Sequence, residues 1–306
     1  MSAFKQPFCG ALLSVTAVLQ PGPADAQDLD AQDLQVTRHI GESITRRLTQ
    51  ATLPEAEGRK PEDPTTGWIA PSYTTIDFND LDANIDIYQF VGGIDKRLGS
   101  FYAGASAGYA RTESDFFELE SGTDNASFSP YAAYLINDNV FVTGIAGYAR
   151  EEFDDDDDRS LFNFDPSANA AFTDLSVTGV LPLSQWVVTG RAGHRFAYTK
   201  LVDIPSVFVI DDVEIPVEID DDSFVNTLYV SGEVGYRIER FLPYFRTIYE
   251  HLIPEEGDNS ELVFVVVGAT YDVSDTVSAG LSYQTELNHL DTSNFHQAVL
   301  DVRLRF

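Results

Sequence analysis

From Trp68 to Phe306 apolar and polar positions alternate in short segments separated by Gly, Asn, Asp and Ser, the period-two pattern of β-strands. The last segment, "DVRLRF", shows the pattern most plainly. Asp301, Arg303 and Arg305 share one face, while Leu300, Val302, Leu304 and the terminal Phe306 share the other. About twelve such segments follow one another, rich in Tyr and Gly. The stretches beginning at Gly104 ("GASAGYAR"), Gly144 ("GIAGYAR") and Gly190 ("GRAGHRF") look like copies of one hairpin unit, with glycine expected on the inward side of a curved sheet. Ahead of the strands, Asp33–Gln50 carries Ile40, Ile44 and Leu48 at i, i+4 spacing, with Arg38, Arg46 and Arg47 elsewhere around the axis. This spacing predicts a helix, ended by Pro54, Pro61 and Pro64.

The connections alternate between short ("INDN", "PLSQ", "DVSDT") and long. The six long ones fall at 77–86, 112–126, 151–169, 200–224, 250–261 and 286–294. Short turns at one end and long loops at the other is the connectivity of an outer-membrane barrel, which a sandwich does not require. Charge sorts the same way. Of the 49 acidic residues, 32 fall in the six long connections, against only Arg159 and Lys200 among Lys and Arg, so the net charge of −30 belongs mainly to one rim. That charge excludes nucleic acid as a partner. Within 200–224, "SVFVIDDVEIPVEI" places two apolar runs around Asp211 and Asp212, as a hairpin would.

Within strands the charges fall on the face opposite the large apolar residues. Asp174, Arg191, Arg195, Glu233, Arg237, Arg246, Glu250, Asp301, Arg303 and Arg305 are therefore expected to face a lumen, because a lipid-facing Arg or Lys near midplane costs about 2–4 kcal/mol. Tyr and Trp near strand ends suit interfacial girdles. The fold class that follows is an all-β transmembrane barrel of about twelve antiparallel strands, with one N-terminal α-helix inside the lumen. Its eighteen predicted residues would span roughly 27 Å, close to the height of the apolar band, and Arg38, Arg46 and Arg47 would meet lumen acids such as Asp174, Glu233 and Glu250.

Residues 1–26 read as a signal peptide: Lys5, then the apolar run Cys9 to Leu19, then "ADA" at 24–26. The domain plan is thus 1–26 signal peptide, 27–66 helix and Pro-rich linker, and 67–306 barrel. Cys9, the only cysteine, would leave with the signal, which excludes disulfides from the rest.

Two resemblances narrow the reading. Leu300, Val302, Leu304 and Phe306 resemble the C-terminal signal of outer-membrane proteins, which implies recognition by the barrel-assembly machinery. "GGIDKRLGSFYAGASAGYARTESDF" (Gly92 to Phe116) and "ASFSPYAAYLINDNVFVTGIAGYAREEFDDDDDR" (Ala126 to Arg159) resemble the autotransporter translocator domain. That family has a helix threading a twelve-stranded barrel, followed by a terminal aromatic strand. The resemblance implies a membrane anchor or translocator, here with little or no passenger, in the outer membrane of a Gram-negative bacterium. A small passive pore and a surface interaction protein acting through the acidic loops are the alternatives.

No catalytic chemistry is legible. None of the His residues (39, 194, 251, 289 and 296) has Ser two positions away, and "NHLDTSN" is only a faint echo of a rim protease. No cofactor is implied. Asp154, Asp155, Asp156, Asp157 and Asp158 are weak metal candidates, since the run lacks the glycine turns and spacing of an ordered calcium site. Diffuse attraction of divalent cations and contact with outer-membrane lipid are the remaining partner expectations.

Overall fold

The computed structural model describes residues 26–52, 65–79, 83–116, 119–154, 167–202, 207–210, 213–216, 222–255, 259–288 and 293–306. The signal-peptide reading and the three linker prolines therefore lie outside the described residues, as do Asp155 to Asp158.

One helix, α1 (Ala26–Thr52), precedes the strands. It is longer than the i, i+4 stripe alone predicts, because the stripe extends back to Val36 and Asp and Gln continue the helix beyond it. The strands are β1 (Thr65–Phe78), β2 (Ala83–Leu98), β3 (Phe101–Phe116), β4 (Leu119–Asn137), β5 (Val140–Asp154), β6 (Ser167–Leu183) and β7 (Trp186–Val202). After them come β8 (Val207–Ile210), β9 (Val213–Pro216), β10 (Asp222–Tyr236), β11 (Phe241–Pro254), β12 (Ser260–Asp272), β13 (Val277–Glu286) and β14 (Ser293–Arg305). Twelve of these close into one antiparallel barrel, while β8 and β9 form a separate hairpin between β7 and β10. Closure joins β1 to β14, and beyond the last ladder pair Phe306 and Thr65 exchange backbone hydrogen bonds of 3.0 and 3.1 Å. A closed barrel leaves no unpaired edge.

The alternation of connection lengths is present only in part: long connections follow β5 (Asp154) and β7 (Val202), but β4 begins at Leu119, directly after β3 ends at Phe116, and the turns at the opposite end are tight. Gly99 takes φ +63° in the turn between β2 and β3, a conformation that costs glycine nothing. Ser184 and Glu239 adopt similar angles in two other turns at that end. At the long-loop end the strands run further than the expected loops. Most of 112–126 is ladder, with β3 reaching Phe116 and β4 starting at Leu119. Backbone pairing continues there without an apolar face, because cross-strand charges such as Arg111 and Asp124 (3.6 Å) replace apolar contacts.

The barrel is apolar outside and polar inside. Leu175, Leu281 and Phe128 stand 60, 62 and 56% exposed, whereas Thr143, Thr178, Thr227 and Arg195 are buried. An apolar surface running around the whole molecule is far more than a water-soluble protein leaves uncovered. Glycines seat the large inward aromatics. A Cβ on Gly104 would overlap Tyr131, and one on Gly193 would overlap Tyr229. The repeats differ here from expectation: Gly104 faces inward, but Gly144 and Gly190 lie on the outer face. Gly147 and Gly193 take the inward role, because those copies are one residue shorter between glycines.

A charged lumen filled by a helix

Helix α1 runs inside the barrel. Val36, Ile40, Ile44 and Leu48 are at most 3% exposed and join the apolar cluster formed with Ile87, Val91, Tyr131 and Phe141. Gly41 lies so close to the β6 wall that a Cβ there would sit 2.9 Å from Asp174 Oδ2. Gln50 donates to Thr270 (2.9 Å), near the short-turn end of β12. Arg38, about three turns back, reaches Glu250 near the long-loop end of β11. The N-terminal end of the helix therefore points toward the long loops.

The remaining faces of α1 are ion-paired to the wall in two tiers. In the upper tier Arg38 grips Glu250 with two hydrogen bonds, Nε to Oε1 (3.2 Å) and Nη2 to Oε2 (2.5 Å), and lies 4.2 Å over the Phe264 ring. Arg195 stands between Glu250 (3.7 Å) and Asp174 (3.6 Å), and Asp174 also accepts from Arg191 (3.2 Å) and Tyr229 (2.7 Å). Glu42 of the helix accepts from Arg246 (3.1 Å), which also approaches Glu233 at 3.9 Å. In the lower tier Arg47 donates to Asp95 (3.0 Å) and to the Thr66 hydroxyl (2.6 Å). Asp95 is held in turn by Tyr131 (3.1 Å), whose hydroxyl accepts from Trp68 Nε1 (3.0 Å). Arg46 lies 3.5 Å from Asp301, and Arg303 also bonds Asp301. His39 Nε2 is 3.0 Å from the Ala70 carbonyl oxygen.

Carboxylates thus bridge guanidiniums on helix and wall, and the interior carries its charge in compensated form. Removing one partner from such a buried pair costs about 3–5 kcal/mol, since the other charge is left without compensation. Beside the helix remain cavities of about 40 and 20 Å³, lined by residues such as Thr49, Gly235 and Tyr244 in one and His39, Gln284 and Gln297 in the other. They have room for a few waters.

Most of the residues read as lumen-facing meet in this network, with different partners from those expected. Arg38 does reach Glu250, but Arg46 and Arg47 take Asp301 and Asp95, and Asp174 and Glu233 are engaged by wall arginines. Arg237 is a correction: β10 ends at Tyr236, so Arg237 lies in the turn at the rim, 3.9 Å from Asp272 and half-buried. Arg305, also half-buried, stands at the same end. Leu300, Leu304 and Phe306 face outward and are 46, 49 and 66% exposed, with Val302 half-buried on the same face. Two participants were overlooked. Asp95 shares the inward parity of Ile85, Ile87 and Val91, and Glu42 sits four residues from both Arg38 and Arg46, so both signals were present. Among the described residues no group of His, Cys, Asp and Glu is placed to hold a metal ion. No described helix is long and apolar enough to cross a membrane, which says nothing of strands.

An apolar exterior, a charged interior and a twelve-stranded antiparallel closure define an integral outer-membrane barrel, here with its lumen occupied by a helix. Residues 67–204 match the family described as Autotransporter beta-domain. The same fold appears in the β-domain of the Bordetella autotransporter BrkA (TM-score 0.65, 15% identity, 80% of this chain and 100% of that one). It appears also in the translocator domain of autotransporter NalP from Neisseria meningitidis (0.58, 13%, 88% and 98%) and in the transport unit of AIDA-I from Escherichia coli (0.53, 12%, 87% and 98%). No curated protein sequence matches the chain. The barrel has the fold of the autotransporter β-domains it resembles, and its place is the outer membrane of a Gram-negative bacterium.

Proposed function

We propose that this chain is a membrane anchor and translocator whose own helix α1 occupies the lumen with its N-terminal end directed to the cell surface. The observation that carries the reading is the two-tier pairing of α1, with Arg38 on Glu250 toward the long loops and Arg47 on Asp95 toward the short turns. That polarity sends the N-terminal end of the helix outward and its C-terminal end back to β1. A passive pore is disfavoured, because the helix fills the section through which solutes would pass. On this reading assembly proceeds through the barrel-assembly machinery, with the outward-facing Leu300, Leu304 and Phe306 as the recognition strand, and no catalytic role is assigned. The test is paired. In planar bilayers the chain lacking residues 27–60 should conduct, and the chain containing them should conduct far less. An epitope inserted between Gln27 and Asp28, on the mature side of the expected signal cleavage after Ala26, should bind antibody on intact cells. Equal conductance, or an epitope reached only after the outer membrane is opened, overturns the proposal.

A further inference from the structure

The repeated "GYAR" of β3 and β5 is not explained by the lumen. Tyr109 and Tyr148 belong to a ring of six outward-facing tyrosines, one on every strand that rises toward the long loops. Each bonds a polar side chain on the next strand: Tyr73 to Asp86 (2.7 Å), Tyr109 to Asp124 (2.6 Å), Tyr148 to Asn169 (2.5 Å) and Tyr198 to Asp222 (3.0 Å). Tyr249 to Glu261 and Tyr283 to His296 (2.6 Å) complete it. In every case the partner lies two residues beyond the position paired with the tyrosine. Such a ring marks the boundary between hydrocarbon and headgroup, where a Tyr ring meets apolar chains and its hydroxyl meets water.

Two residues past the tyrosine, on the same outward face and one step higher, stands Arg111 on β3, Arg150 on β5 and Lys200 on β7. The equivalent positions on β1, β11 and β13 are Thr75, His251 and Thr285. Every other described Lys or Arg lies in the lumen or at the short-turn rim. The three cations therefore form one outward-facing row on alternate neighbouring strands, about 10 Å apart. Net charge does not account for them in a chain with 30 more negative than positive charges. Their immediate partners are exposed carboxylates, Glu113 and Asp124 for Arg111 (3.2 and 3.6 Å) and Glu152 for Arg150 (3.2 Å). Exposed pairs of this kind hold little energy but keep the guanidinium directed outward, and a guanidinium has five N–H donors to share.

The geometry points to a binding face for the phosphate groups of a phosphorylated glycolipid in the outer leaflet, formed by Arg111, Arg150 and Lys200 on the β3–β7 sector. The tyrosines beneath fix the depth, so the cations stand where the headgroup begins. Arginine matches phosphate through paired N–H donors, and the flanking carboxylates can accept from sugar hydroxyls. The opposite sector, with Thr75 and Thr285, offers no such cation, so lipid is held on one side of the barrel only.

The test uses the full chain purified in detergent, with native mass spectrometry counting retained lipopolysaccharide. The wild-type barrel should retain the phosphorylated glycolipid in preference to its enzymatically dephosphorylated form, and this should persist in EDTA. Replacing all three cations (R111Q, R150Q, K200Q) should reduce retention by roughly a hundredfold, about fivefold for each surface cation. The rim variant K96Q with R240Q should retain it unchanged. Equal retention of the two glycolipid forms would show that only acyl chains are held, and loss of binding in EDTA would assign it to metal-bridged carboxylates. Either result overturns the proposal, as does full retention by the triple variant. The two wild-type comparisons stand even if that variant does not assemble.

Discussion

Glu250→Ala is the most informative single change, because this carboxylate ties a helix arginine to the barrel wall. Glu250 accepts two hydrogen bonds from Arg38 and lies 3.7 Å from Arg195, with the Arg38 and Glu250 side chains only 3 and 2% exposed. Truncation strands two guanidiniums unequally. Arg195 keeps Asp174 at 3.6 Å, so the loss falls mainly on Arg38, which keeps the Phe264 face and the nearby charge of Glu42 among its contacts. Breaking a buried pair costs about 3–5 kcal/mol, and the contacts that Arg38 keeps offset about a quarter to a third of it, which leaves about 3 kcal/mol. That corresponds to a factor of roughly 150 in the population of helix released from the lumen. The assay is the rate at which Ile44→Cys reacts with a thiol reagent in the assembled barrel, since Ile44 is fully buried against the wall. Where reclosing outpaces labelling, the rate follows the open population. Glu250→Ala should accelerate labelling by about two orders of magnitude, and Glu250→Gln, which keeps an acceptor, by less. The pair Arg38→Met with Glu250→Leu should return most of the protection, because no charge is then left uncompensated on the helix. A change below about threefold for Glu250→Ala would show that the pair does not hold the helix, whatever its distances.

Other consequences are open to direct measurement. Gly41→Leu should loosen the helix as strongly, because Asp174 is fixed by Arg191, Arg195 and Tyr229 and cannot retreat from the added side chain; protease protection of α1 reads this, and unchanged protection would contradict it. Thr49→Cys with Gly235→Cys, which line one cavity, should form a disulfide or cross-link in the assembled barrel, and Thr49→Cys freely modified from the periplasm with no cross-link would place the helix outside. Deleting Phe306, or changing Leu304 and Phe306 to Asp, should leave the chain unassembled, since the last ladder contact to Thr65 and the outward apolar row are lost together; normal heat-modifiable mobility in outer-membrane fractions would refute this. Protease added to intact cells should cut within 151–169 or 200–224 before any short turn, and cleavage confined to 96–100 or 136–139 would mean the orientation is reversed.

The strand plan was legible in the chain because a membrane barrel imposes two simple rules on every strand. Backbone groups must pair in a closed ladder, and side chains must alternate between hydrocarbon and a wet interior. Leu304 and Arg303 obey those rules with no knowledge of any neighbour, and so does the hairpin of β8 and β9, announced by two apolar runs around adjacent aspartates. What alternation cannot specify is register and depth. Arg47 meets Asp95 rather than Glu233 because helix depth and strand stagger bring residues 48 positions apart to 3.0 Å, and nothing local encodes that. The same holds for Gly41, whose place depends on how near α1 comes to Asp174. Arg237 had the right parity, but the barrel wall ended one residue before it. Parity is a local property of the chain. Which charge finds which across the lumen was decided only when twelve strands closed around the helix.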